Sequence, residues 1–126
     1  MTITMSNNEI YQIFNNLMEQ FNNGEQKFPV KINFYLQKNK NTLMGFAQEI
    51  ETARLGIINN YGSPSEDNPG QYIIPPDNIE IAQQELNELF ALEQDVQLYK
   101  TKIDDFPADM SLTASQMEAL LFMIED

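Results

Sequence analysis

Carboxylates are the only abundant side chains in this sequence that could do chemistry: 19 Asp and Glu stand against 7 Lys and Arg, with no His and no Cys. Two carboxylates at a suitable separation can serve as general acid and base, as in glycoside hydrolysis. Alternating carboxylates in a loop can hold a hard cation, and a face of them can attract a basic partner. The absence of His and Cys excludes a Ser–His pair, a thiol nucleophile and an ordinary zinc site, and the five Gly residues form no phosphate-cradling loop. Every Asp and Glu has a solvent-facing explanation, so no pair stands out as catalytic. The expected activity is binding and not catalysis, with no cofactor and no metal.

Two carboxylate clusters invite a cation reading. Glu66-Asp67-Asn68-Pro69-Gly70 opens like a calcium loop, but Pro69 interrupts the ligand alternation and position 78, where a bidentate Glu is needed, is Asn. Asp104 and Asp105 with Asp109 precede and follow Phe106-Pro107, a setting in which Asp is ordinary turn chemistry. Both clusters are expected to be structural.

Charge is unevenly spread. Six of the seven cations (Lys27, Lys31, Lys38, Lys40, Lys100, Lys102) lie near residues 27–40 and 100–102, whereas residues 55–99 contain eight carboxylates and no cation. The molecule is expected to be bipolar, with an acidic side that docks a protein partner of basic surface. Asp77, Glu80, Glu85 and Glu88 on one helix, with Glu66 and Asp67 in the loop before it, are the candidate contact residues. Tyr72 and Tyr99, at polar-facing positions of extended segments, and Phe122, outside the apolar stripe of the last helix, are candidate aromatic anchors. That last helix, apolar on more than one side, offers a surface for self-association. A net charge of −12 argues against direct binding to nucleic acid, whose phosphates require cations. The acidic helix is too short a row to imitate a long run of phosphates.

The elements that position these residues follow from periodicity. One domain is expected from 126 residues, 42% of them hydrophobic. Ser6 and Glu9 have capping-box spacing, and Ile10, Ile13, Phe14, Leu17, Met18 and Phe21 form the apolar face of a first helix stopped by Asn22-Asn23-Gly24. Val30, Ile32, Phe34 and Leu36 alternate with polar residues, which predicts a strand over 30–37. A second helix is predicted from about Asn41 to Tyr61, ended by Gly62. Residues 63–70 collect turn formers and predict an exposed loop, followed by a short extended run, Gln71–Ile74, halted by Pro75-Pro76. Asp77 and Glu80 have capping-box spacing for a third helix. A strand over Val96–Thr101 is expected to pair with the one at 30–37. Thr113 and Gln116 cap a last helix whose Met117, Leu120, Leu121 and Ile124 face inward, leaving Glu125 and Asp126 at its C-terminus. The fold class is α+β, a small two- or three-stranded sheet packed with three or four helices in a single domain, 1–126. No run of about 20 apolar residues and no basic, apolar leader occurs, and Cys is absent, so a cytoplasmic protein with no membrane contact is expected.

The order of these segments resembles a known group. Lys27-Phe-Pro-Val-Lys-Ile-Asn-Phe34, Ile58-Asn-Asn-Tyr-Gly62, Glu85-Leu-Asn-Glu-Leu89 and Leu112-Thr-Ala-Ser-Gln-Met-Glu-Ala-Leu120 look like small acidic uncharacterised proteins of tailed phages infecting Gram-positive bacteria. The resemblance spans most of residues 27–126 and carries over no functional residue. It implies a viral setting, in host cytoplasm, where small acidic proteins inhibit host factors such as nucleases and other defence enzymes by stoichiometric contact, or assist virion and tail assembly by binding themselves or structural proteins.

Overall fold

Ser6 caps the first helix as its spacing predicts. In the computed structural model, which describes residues 1–21, 28–108 and 110–125, the Glu9 backbone N–H donates to Ser6 Oγ at 3.1 Å, and Glu9 Oε1 accepts from the Ser6 N–H at 3.4 Å. Helix α1 then runs Asn7–Phe21 and buries Asn7, Ile10, Leu17 and Phe21. Its expected stop at Asn22-Asn23-Gly24 lies outside the described residues.

Ahead of α1 is a strand that the sequence reading leaves out. β1, Thr2–Ser6, pairs antiparallel with β4, Glu93–Gln97, in a register running from Thr2↔Gln97 to Ser6↔Glu93. Thr2 and Thr4 face solvent while Met5 and Val96 are buried, the two-residue alternation of a half-covered sheet. Asn7 closes the corner between strand and helix. Its backbone N–H donates to Leu92 O at 2.8 Å, its Nδ2 to Leu89 O at 2.8 Å, and its Oδ1 accepts from Gln94 Nε2 at 2.6 Å.

The strand expected over 30–37 is a helix. α2 spans Val30–Tyr61, 32 residues and about 48 Å at 1.5 Å per residue. Its buried side is Ile32, Leu36, Asn39, Leu43, Ala47 and Ile50, at intervals of three and four. Val30 and Phe34, which the alternating reading placed inside with Ile32 and Leu36, are 86% and 55% exposed. The polar Asn39 completes the helical stripe from within the core and conceals it from a search for apolar residues alone. Gly62 ends α2 with its N–H on Ile58 O at 2.8 Å. Its φ of −135° needs no glycine; the close approach does, because a Cβ there would stand 2.9 Å from Ile73 O.

Past α2 the chain makes a small hairpin, β2 (Ser63–Pro64) against β3 (Tyr72–Ile73). Helix α3, Pro76–Ala91, follows. No capping box forms at Asp77: Pro75 occupies the cap position with no side-chain bond, and Pro76, whose fixed φ suits the first turn, starts the helix. Asp77 lies in that first turn, where the helix dipole favours a carboxylate.

The expected pairing of 96–101 with 30–37 is replaced by two pairings, since 30–37 is helical. Residues 93–97 belong to β1, and β5, Thr101–Lys102, runs parallel to β6, Ile124–Glu125. Between them, a 3₁₀ turn at Ile103–Asp105 leads toward α4, Ala114–Leu120, where the Gln116 N–H donates to Thr113 Oγ1 and the Thr113 N–H to Gln116 Oε1, both at 3.0 Å. α4 is shorter than expected. The chain tightens into a 3₁₀ turn over Leu121–Met123, which rotates the side chains out of helical phase: Met123 is fully buried, Phe122 packs against the core and Leu121 is 58% exposed. Glu125 is in β6, and Asp126 lies outside the described residues.

The result is one α+β domain of four helices and two-stranded sheets among the described residues. Its core joins α1, the first two-thirds of α2, β1, β4 and α4 through residues such as Ile10, Leu17, Ile32, Leu43, Val96 and Leu120. Between Ile50 and Ala82 no residue is buried. The end of α2, the hairpin and the start of α3 therefore form an arm beyond the core. Among the described residues no helix is long and apolar enough to cross a membrane.

Candidate interaction surface

The arm collects most of the candidate contact residues. Glu66 and Asp67 occupy the loop of the β2–β3 hairpin, Tyr72 stands in β3, and Asp77 and Glu80 lie in the first turns of α3; all are exposed. The loop is built as a turn and not as a cation cradle. Ser65 N–H donates to Gln71 O at 2.8 Å, Gln71 N–H to Asn68 O at 3.1 Å, Asn68 N–H to Ser65 Oγ at 3.2 Å, and Gly70 takes φ +87°. These bonds hold the backbone and leave the two carboxylates facing water. Asn78 Nδ2, donating to Tyr61 O at 3.2 Å, ties the start of α3 to the end of α2.

Exposed apolar side chains accompany the acid. Tyr72 (39%), Ile73 (58%), Ile79 (53%) and Ile81 (45%) belong to the same stretch. Large apolar groups among carboxylates, without a cation between residues 55 and 99, make a surface of mixed character. Such a surface gains by covering its apolar part and meeting Lys or Arg at its rim.

The remaining candidates lie elsewhere. Glu88 is exposed on α3 closer to the core. Glu85 turns inward: it is half-buried, its Oε2 is enclosed without a hydrogen-bond partner, and its carboxylate raises the pKa of the neighbouring Tyr61 hydroxyl above the ordinary value. Tyr99 is 46% exposed and stacks on Tyr35 of α2, ring centroids 5.0 Å apart. That places it beside the N-terminal part of α2, about 24 Å along the helix from Glu51, where the arm begins. Phe122 is half-buried against the core, an anchor for α4 in its own fold. Five of the nine candidates thus share the arm.

The cations form the opposite pole, with Lys31, Lys38 and Lys40 on helix α2 and not in or beside the strand expected there, while Lys102 lies in β5. Lys31 and Lys38 extend from α2, with Lys31 Nζ 5.7 Å from the Tyr35 ring centroid and Lys38 Nζ 5.5 Å from that of Phe34. Lys31 also pairs with Asp105 at 3.3 Å. Asp105 accepts from the Lys102 backbone N–H at 3.0 Å, and this bond, with the Lys31 ammonium, lowers its pKa. Asp105 is therefore engaged in holding its turn, while Asp109 of the same expected cluster lies outside the described residues. Among the described residues no three His, Cys, Asp or Glu gather where they could hold a metal ion.

One ionic knot ties the start of the arm to α1. Glu51 accepts from Arg54 Nε at 2.8 Å and Nη2 at 2.6 Å and from the Tyr11 hydroxyl at 2.8 Å, so that the first residue of the arm is fixed to α1. Arg54 chiefly, with Tyr11, holds the Glu51 carboxyl down at about 2. Sequence reading missed this trio, whose only sequence signal is the three-residue spacing of Glu51 and Arg54. No family model, curated protein or solved structure matches the chain.

Proposed function

We propose that this is a non-enzymatic binding protein whose arm docks a protein surface that is basic at its rim and apolar at its centre. In the phage setting implied by its resemblance, the partner is a host nuclease or another defence enzyme, inhibited by stoichiometric contact. The observation that carries this reading is the gathering of Glu66, Asp67, Tyr72, Asp77 and Glu80 on a segment from which the core takes no buried residue. Side chains with no packing duty are free to be specified by a partner. A face without cations also speeds encounter with a basic one through long-range attraction.

The test is a tagged pull-down from infected and uninfected host cells at low and high salt, followed by binding measurements on the recovered protein. A near-equimolar host enzyme lost at high salt is expected. Replacing Glu66, Asp67, Asp77 and Glu80 together by Lys is expected to weaken the complex about tenfold or more, mostly through slower association, with the fold intact because all four are exposed. Recovery of phage structural proteins alone, resistant to salt, would replace this reading with an assembly role.

A further inference from the structure

α2 shows one face to solvent along its entire length. Its three exposed large apolar residues, Val30 (86%), Phe34 (55%) and Leu55 (39%), fall within about 60° of arc at 3.6 residues per turn. Lys31, Lys38, Gly45, Gln48, Glu49, Thr52 and Gly56 share that side within about 100° of arc, and all are exposed. Midway, Gly45, Gln48, Glu49, Thr52 and Ala53 line an open hollow of about 510 Å³. The glycines have no packing role inside the chain, because a Cβ on Gly45 or Gly56 would meet nothing within 4 Å. Glycine is nonetheless the poorest helix former after proline. The face thus has a projecting aromatic ring near one end, a recess beyond its middle, a cation beside the ring and a carboxylate beside the recess.

We propose that this face is the interface of a symmetric homodimer, in which α2 of one copy lies antiparallel on α2 of a second. A two-fold axis makes such a contact self-complementary and closed, every contact occurring twice. Charge and shape fix the register. With Phe34 of one copy seated over Thr52 and Ala53 of the other, Lys38, one turn further on, comes opposite Glu49, one turn further back. The same register sets Lys31 over Gly56, at the root of the second copy's acidic arm. Lys38 already leans on the Phe34 ring, so knob and charge enter together. Antiparallel helices also oppose their dipoles favourably. The hairpins remain free at opposite ends of the pair, so the dimer carries two copies of the arm.

Sedimentation velocity and light scattering on the full chain, from low micromolar to submillimolar concentration, test the proposal. A species of twice the 14.5 kDa chain mass is expected. Phe34→Glu is expected to abolish it while leaving the far-UV circular dichroism unchanged. Lys38→Glu and Glu49→Lys are each expected to weaken the dimer, and the two together in one chain to restore it, since the symmetric register re-forms both pairs with signs exchanged. Gly45→Leu fills the recess and is expected to give a monomer with a raised Tm, an outcome that damage to the fold would not produce. A chain that is monomeric at every concentration, a dimer that survives Phe34→Glu, or a charge swap that fails to rescue would overturn the proposal.

Discussion

The two ends of α2 belong to different environments. From Ile32 to Ile50 the helix gives six side chains to the core; from Glu51 to Tyr61 it gives none, and the hairpin that continues it gives none either. The first stretch is held by apolar burial, each large side chain contributing about 1.5–3 kcal/mol when fully covered. The second is held by half-buried side chains such as Ile57, Ile58 and Ile74 and by a few polar ties, Glu51 with Arg54 and Tyr11, and Asn78 with Tyr61. Packing residues can change little without loss of the fold, whereas arm residues can change greatly. That freedom is what a binding surface requires, and it brings low local stability, since segments with few buried contacts open first.

The sharpest way to expose this contrast is to make the same truncation at both ends. Leu43 is fully buried, and Leu43→Ala is expected to cost about 2–5 kcal/mol in denaturant unfolding. Ile79→Ala, at a site 53% exposed, is expected to stay within about 0.5 kcal/mol of the parent. Comparable losses at the two positions would show that the arm is part of the cooperative core.

The middle of the scale belongs to Asn39. Its side chain is fully buried, with Nδ2 donating to Tyr99 O at 2.9 Å and Oδ1 accepting from Tyr99 N–H at 2.8 Å. It supplies both bonds of a strand neighbour to a residue just beyond β4. Asn39→Ala strands both backbone groups and is expected to cost about 2 kcal/mol or more. Asn39→Leu, of similar size, should cost nearly as much, because pairing and not volume is lost. A neutral Asn39→Leu in thermal unfolding would assign the site to packing.

These residues also explain what could be read from the sequence. Capping pairs were legible at Ser6 with Glu9 and Thr113 with Gln116, because each is a local bond between residues three apart. The halt at Gly62 and the turn chemistry of 63–70 were legible because they too are local, and so was the acid gathered in the arm; α3 was legible as a helix, but its start is set by Pro75 and Pro76 and not by the expected cap at Asp77. Residues 30–37 were not. Their apolar positions satisfy a two-residue alternation, and only the tertiary role of Asn39 shows that Ile32 and Leu36 continue to Leu43 as a helix. β1 escaped notice because Thr2–Ser6 is short and is defined by a distant partner, from Thr2↔Gln97 to Ser6↔Glu93. Phe34, hidden among presumed core residues, became a surface feature only when its element changed.

The smallest effect concerns the joint between the two regions. The Glu51 carboxyl has its pKa lowered from 4.5 to about 2, chiefly by its bonds to Arg54 and with help from Tyr11. A folded-state pKa below the unfolded one contributes stability that is fully present above about pH 4.5 and disappears as pH falls through about 2. The side chains of Glu51 and Arg54 are 35% and 34% exposed, so solvent screening reduces the contribution to about 1 kcal/mol or less. Glu51→Gln keeps the size and removes the titration. Unfolding free energies measured between pH 5 and pH 2 should therefore separate the two proteins at the upper end and converge at the lower. Because the tie binds the arm's first residue to α1, hydrogen exchange in residues 55–61 should quicken in the variant at pH 5 while Leu43 and its buried neighbours keep their protection. If the core amides quickened equally, the joint would belong to the global unfolding unit, and the boundary between packed end and arm would have to move beyond Glu51.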